Sequence, residues 1–345
     1  MKKYVTLGEV CSKGSSNIAQ KDIEHNNGSY GIYGASGYIK DVDFYHQDKP
    51  YIAVVKDGAG IGRTMLLPEK TSVIGTMQYL IPNDLILVRY LYYAVTYMNL
   101  GKYFTGATIP HIYFKDYQKE KLPLPTIEEQ LVITNNLEKV DRLIELCTTT
   151  LEKLDLLVKS RFVEMFGEPI TNSKGRGIRL LKDALVLKAG DFTAASDISE
   201  APTEKNKYPC YGGNGIRGYV ADYNQDGDYS LIGRQGALSG NVQYATGKFK
   251  NTEHALLVTP TVEMNSIWLN QLLINLDLKR YQTGAAQPGL SVKNLQEIQI
   301  ISIPIGEQNE YADFVKQTDK SKLAVKQVLE KTETLKKALM QEYFG

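Results

Sequence analysis

A shift of 178 residues lays this chain onto itself. Tyr30, Tyr33 and Gly34 fall on Tyr208, Tyr211 and Gly212, and Tyr51, Gly58 and Gly62 fall on Tyr229, Gly236 and Gly240. The register persists through Pro82 and Pro260, then through Tyr103, Thr105, Gly106 and Pro110 against Tyr281, Thr283, Gly284 and Pro288. Glu129–Gln130 meets Glu307–Gln308, and each copy closes on an aromatic–glycine pair, Phe166–Gly167 and Phe344–Gly345. Only the first thirty residues need a small gap, where LGEV at Leu7 resembles LLKD at Leu180. Solenoid repeats run to about 20–50 residues, so a period this long is a duplicated domain. A length of 345 residues accommodates two domains of ordinary size.

Each copy has two parts. The first is rich in glycine and tyrosine. Short apolar runs bounded by Gly and Asp, such as YIAVV at Tyr51 and YSLIG at Tyr229, read as strands. Longer apolar segments, LILVRYLYYAVTYMNL and SIWLNQLLINLDL, are long enough for helices, so the first part is mixed α+β. The second part is helical. In copy one Ile133, Leu137, Val140, Ile144, Cys147, Leu151, Leu154, Val158 and Met165 keep 3–4 spacing, broken only by Arg161. In copy two Tyr311, Val315, Val325, Leu329, Leu339 and Tyr343 are interrupted by Thr318, Lys322, Thr332 and Lys336, and Phe314, Val328 and Leu335 predict that the apolar stripe drifts. Two such helices favour pairing with each other. The expected organisation is a domain over 1–125, a helix over 126–167, a second domain over 168–303 and a C-terminal helix over 304–345. A continuous helix from Ile127 to Phe166 spans about 60 Å, which is a ruler rather than a linker.

Charge and chemistry narrow the function. The net charge is +1, so nothing global advertises a nucleic-acid binder. Locally the two mixed parts are weakly basic and the helical parts acidic or neutral, which suits DNA contact by the former and protein contact by the latter. Cys11, Cys147 and Cys210 form neither an even set nor a CxxC, so no disulfide scaffold or zinc module is expected, and a reducing cytoplasm is the natural compartment. No apolar run reaches the length of a membrane helix, and MKKYVTLGEV lacks a secretory apolar region. There is no P-loop, no HExxH, no nucleophile elbow and no E-x-K after a P-D, and His25, His46, His111 and His254 are scattered. A catalytic role or a metal site is therefore not expected of this chain.

The glycine-rich DGAGIGR at Asp57 has nucleotide-loop spacing, but a phosphate site needs the glycines to open a helix. LLP follows within a few residues, and copy two reads GRQGALSGN, so the shared glycines read as hairpin punctuation. Side chains able to read bases gather at these turns: Lys56 and Arg63 in copy one, Arg234, Gln235 and Asn241 in copy two. Arg can pair bidentately with guanine, and Asn or Gln with adenine. Lys102, Tyr103, Arg217, Lys279 and Arg280 complete the candidates, with Lys and Tyr better suited to phosphates.

TGATIPHIYFKDYQKEKLPLPTIEEQLV and TGAAQPGLSVKNLQEIQIISIPIGEQNEY resemble the closing signature of a target-recognition domain. There a TG turn leads to a strand-like segment, a Pro-containing exit and an E-Q that opens a long helix. YGIYGASGYI and YPCYGGNGIRGYV resemble the early Y-G segment of the same family, the specificity subunits of type I restriction-modification systems. The likeness covers essentially the whole chain, although copy one has IPH where copy two has QPG. It implies two tandem target-recognition domains related by a pseudo-twofold axis and separated by two long helices in an antiparallel coiled coil. It also implies a bipartite double-stranded DNA target. Two modification subunits would carry S-adenosylmethionine, and restriction subunits would carry ATP and Mg, leaving this chain no cofactor and no membrane contact. The competing reading is a stand-alone two-site DNA-binding protein or regulator, although no helix-turn-helix is evident.

Overall fold

The computed structural model describes residues 3–106, 110–236, 238–283 and 289–345. Two compact units emerge, Met1–Thr148 with Gln327–Gly345, and Thr149–Lys326. The mixed part of each copy lies within one unit, while the helices Ile127–Phe166 and Ile305–Phe344 are each divided between the two.

In the first unit an antiparallel sheet runs in the order Cys11–Ser15, Met77–Pro82, Tyr51–Val55, Thr64–Leu67. All five residues of Tyr51–Val55 are buried because this strand is covered on both faces. Side chains alternate across a strand. Ile52 and Val54 pack with Tyr90, Leu91 and Val95 of the helix Val88–Met98, while Tyr51, Ala53 and Val55 pack with Leu67, Val73 and Tyr79. A second sheet joins the hairpin Tyr30–Gly34/Gly37–Val42 to Ser72–Val73, which runs parallel to its first strand.

The second unit repeats this plan. Its four-stranded sheet orders Leu185–Ala189, Ala255–Pro260, Tyr229–Gly233 and Val242–Ala245, backed by the helix Ser266–Asn275. Asn265 caps that helix, its Oδ1 accepting from Ile267 N at 3.0 Å and Trp268 N at 3.2 Å. From Tyr30 onward the strands and helices fall on their first-copy partners at the 178-residue offset. At the N-terminal ends the offset is 174, one more than the alignment of LGEV with LLKD implies. Leu7 N donates to Glu120 O and Leu181 N to Ile298 O, both at 2.8 Å, so Leu7 corresponds to Leu181 rather than Leu180. Both leucines are fully buried, which fixes that choice. The segment after the TG turn also departs from a plain strand: Phe114–Tyr117 and Val292–Gln296 are short helices that precede the strands Lys121–Pro123 and Gln299–Ser302. The helical turn buries Tyr117 and Leu295 completely.

The E-Q pair that opens each long helix has a mechanical role. Gln130, fully buried, accepts from Leu87 N at 2.8 Å and donates to Leu85 O and Pro125 O. Gln308 accepts from Asn265 N at 2.9 Å and donates to Ile303 O at 2.8 Å. Each glutamine thereby ties its long helix to the start of the domain's core helix. Glu129 and Thr126 form a capping box at the first long helix.

Within each unit the two helix segments run antiparallel. In the first, Lys336 pairs with Asp141 at 2.6 Å, and Leu137, Met340 and Phe344 share one cluster. In the second, Lys322 reaches Asp155 at 2.7 Å, Tyr311 OH donates to Val158 O at 3.1 Å, and Phe162, Phe166, Tyr311 and Val315 pack together. The apolar stripe of the C-terminal helix does not drift. Val328 and Leu335 are each 49% exposed, while Thr318 and Thr332 are buried in the seam. Each threonine hydroxyl donates to the carbonyl four residues back, and each lysine meets an aspartate of the facing helix, so polar residues keep the heptad register. Arg161 is likewise accommodated at the edge, against Glu164, Glu310 and the Phe314 ring.

Candidate nucleic-acid interface

The glycine-rich segments are hairpin connections. Residues 56–63 link Tyr51–Val55 to Thr64–Leu67, closed by Val55 N to Arg63 O at 2.9 Å and Gly62 N to Val55 O at 2.8 Å. Copy two closes alike, Gly233 N to Asn241 O at 2.9 Å and Gly240 N to Gly233 O at 2.8 Å. Gly62 and Gly240 have φ of +80° and +86°. A Cβ there would stand 2.2 Å from Gly101 N and 2.7 Å from Lys279 N, so each turn rests directly on the backbone of a following 3-10 turn, Leu100–Tyr103 or Leu278–Tyr281. A strand rather than a helix follows the glycines, and the phosphate-loop geometry is missing.

A second loop docks on each hairpin. Thr105 and His111 exchange N–H···O bonds of 2.8 Å, and Ile112 N donates to Lys56 O at 2.9 Å. In copy two Thr283 and Gly289 exchange bonds of 2.9 and 3.0 Å, and Leu290 N donates to Arg234 O at 2.9 Å. Asp57 bridges to His111 as Gln235 bridges to Gly289. The same backbone frame is thus built twice. Ile109 of the IPH segment, and Gly284, Gln287 and Pro288 of the TG and QPG segments, lie outside the described residues.

The side chains on the two frames differ. In copy one Lys56 forms an ion pair with Asp57, and His111 Nδ1 lies 2.7 Å from the other Asp57 oxygen, its ring stacked on Tyr113. Partial burial of Asp57 works to raise its pKa, but the hydrogen bonds from Lys56 and His111 outweigh it and hold the carboxyl below the usual range. Arg63 is exposed, with its guanidinium over Gly60. In copy two His254 lies between Gln235 Oε1 and Glu253 Oε1, each at 3.1 Å, and Arg234 donates to Glu253 O at 3.4 Å. Arg234 Nε is buried without a partner among the described residues. Asn241 donates to Asn214 on the neighbouring hairpin turn at 3.1 Å.

The remaining candidates divide. Lys102 and Tyr103 both engage Glu120, and Lys102 lies 5.3 Å from the Tyr103 ring centre. The Glu120 hydrogen bond, with burial, pushes the Tyr103 hydroxyl up to about 12. Lys279 and Arg280 are exposed on the 3-10 turn beneath the second hairpin, with Arg280 over the Tyr281 ring. Arg217 is exposed on the separate strand Gly215–Val220. Sequence reasoning passed over Asp57, His111, Glu253 and His254. Their one signal was the mismatch between copies at these positions, Asp57 against Gln235 and His111 against Gly289.

A family model described as the type I restriction modification DNA specificity domain matches residues 2–156 and again 182–336. The chain belongs to that family. The EcoprrI specificity subunit of Escherichia coli is 44% identical over 122 residues, which are 35% of this chain and 30% of that protein. A putative type I restriction enzyme specificity subunit of Haemophilus influenzae is 31% identical over 105 residues, 30% of this chain and 27% of that one. Both matches span less than a third of the relative's length. Among solved structures, the type I restriction-modification S subunit from M. genitalium aligns over 100% of this chain and 96% of its own, with TM-score 0.70 at 18% identity. The specificity-domain family thus accounts for the tandem repeat, and the likeness to the S subunit extends to the fold of the whole chain.

Proposed function

We propose that this chain is the non-catalytic, DNA-reading subunit of a type I restriction-modification complex and that its two hairpin frames read the two halves of a bipartite duplex target. The observation that carries the reading is one loop frame built twice with different hydrogen-bonding side chains, Lys56, Asp57, Arg63 and His111 against Arg234, Gln235, Asn241 and His254. A shared frame supplies position, and changed donors and acceptors supply a different sequence preference. Exposed Lys102, Arg217, Lys279 and Arg280 would serve the phosphates.

Methyl transfer with S-adenosylmethionine, and translocation and cleavage with ATP and Mg, would belong to modification and restriction subunits docked on the protein. Exposed leucines, Leu143 and Leu146 in the first unit and Leu156 and Leu157 in the second, each 46–62% exposed, support protein contact on the helix segment of each unit. The test is to co-express the chain with its modification subunit and map methylated adenines. The expected result is one bipartite motif, relaxed in one half only by Arg234→Ala and abolished by omitting the chain. Methylation without the chain, or a loss spread evenly over all sequences, would overturn the proposal.

A further inference from the structure

Asp57 and Gln235 occupy the same place in the two frames. Each comes after the basic residue that immediately follows the central strand, Lys56 or Arg234, whose carbonyl accepts from the second loop at 2.9 Å. Each also bridges to that loop, at His111 or Gly289. Their chemistry differs in the way base readout requires. A carboxylate only accepts hydrogen bonds, whereas a carboxamide offers both a donor and an acceptor. In the major groove cytosine presents an N4 amino donor, and adenine presents an N6 donor beside its N7 acceptor.

We infer that Asp57 and Gln235 are corresponding specificity determinants, Asp57 selecting a C:G pair in one half-site and Gln235 selecting an A:T pair in the other. This rests on the DNA-reading function proposed above. Asp57 is suited to the task because its orientation is fixed from both sides, by Lys56 at one oxygen and by His111 Nδ1 at the other, 2.7 Å away. A carboxylate has about four acceptor positions, so two remain for an incoming amino group. Its side chain is 24% exposed, enough to meet a base edge without leaving its partners. Lys56 Nζ has further donors for O6 and N7 of the paired guanine, so the adjacent residues would read both members of one base pair. His111 is a positioning residue in this scheme, because it acts through Asp57. Gln235 is exposed, with Oε1 3.1 Å from His254 Nδ1; a carboxamide so held keeps a second acceptor position and its N–H donors for adenine N6 and N7.

The experiment offers a randomised duplex DNA pool to the purified full chain at fixed salt and sequences the retained fraction for wild type, Asp57→Gln, Gln235→Asp and His111→Ala. Asp57→Gln should convert one C:G position of one half-site to A:T and weaken binding to the original duplex by roughly 5- to 150-fold. Gln235→Asp should make the opposite exchange in the other half-site. His111→Ala should blunt the C:G preference without replacing it, which a purely structural role would not do. The untouched half-site is the folding control within each variant, and the reciprocal variant tests the inference should one substitution unfold its loop. An unchanged motif in both Asp57→Gln and Gln235→Asp, or a uniform loss over all sequences in the variants, overturns the inference while a motif retained by wild type still upholds the DNA-reading function. A wild-type chain that retains no motif overturns the DNA-reading function itself.

Discussion

Replacing Gln308 with leucine should destabilise the second unit selectively. The side chain is 3% exposed and makes two bonds that fix the geometry of its surroundings, from Asn265 N at 2.9 Å and to Ile303 O at 2.8 Å. Leucine is close in volume, so packing changes little, but a backbone donor and a buried carbonyl lose their partners. Each such orphan costs about 1–3 kcal/mol, and the apolar gain offsets part of this, leaving a net loss of roughly 2–4 kcal/mol. With a urea slope of about 2 kcal/mol/M, the midpoint should fall by roughly 1–2 M. The assay is direct because Trp268 is the sole tryptophan, is fully buried in this unit, and donates its backbone N–H to the capping side chain of Asn265. Its fluorescence therefore follows the second unit. Gln130→Leu, which removes the corresponding bonds in the first unit, should move the far-UV transition but shift the Trp268 midpoint less. A Trp268 midpoint unmoved by Gln308→Leu would refute the account of how the E-Q pair fastens helix to domain.

Other substitutions discriminate between causes. Gly62→Ala and Gly240→Ala add both a positive-φ strain and a backbone clash with Gly101 or Lys279, so each should lower stability by more than about 2 kcal/mol. Gly58→Ala has the same sign of φ, at +83°, but open space, and should cost only about 1–2 kcal/mol; calorimetric melting separates the two cases. Lys322→Leu replaces a seam lysine paired with a largely exposed Asp155, so urea unfolding should show unchanged or slightly raised stability. Asp57 has a depressed carboxyl, so its stabilising contribution is present above the ordinary value of 3.8 and is lost as pH falls through its lower folded value. The melting-temperature difference between wild type and Asp57→Asn should accordingly persist at neutral pH and close in acid below 3.8.

The duplication, the mixed α+β character and the two long helices were all legible in the residues, because each depends on local pattern. Runs such as YIAVV, turn glycines at fixed spacing and a 3–4 apolar periodicity declare strands, hairpins and helices without reference to distant partners. Tertiary packing decided what local pattern leaves open. The polar residues Thr318, Lys322, Thr332 and Lys336 interrupted the stripe, and Phe314, Val328 and Leu335 suggested that it drifts, yet each polar residue stays in the seam because a backbone carbonyl or a facing aspartate satisfies it. Gln130 and Gln308 gave no sign of being buried clamps, since the backbone donors they accept from lie 43 residues away in the chain. The cluster of Lys56, Asp57 and His111 was equally hidden: His111 is 54 residues from Asp57 and arrives only when the second loop docks on the hairpin. Sequence patterning specifies which segments form, whereas a site assembled from loops depends on contacts between residues far apart in the chain, and only the fold brings those together.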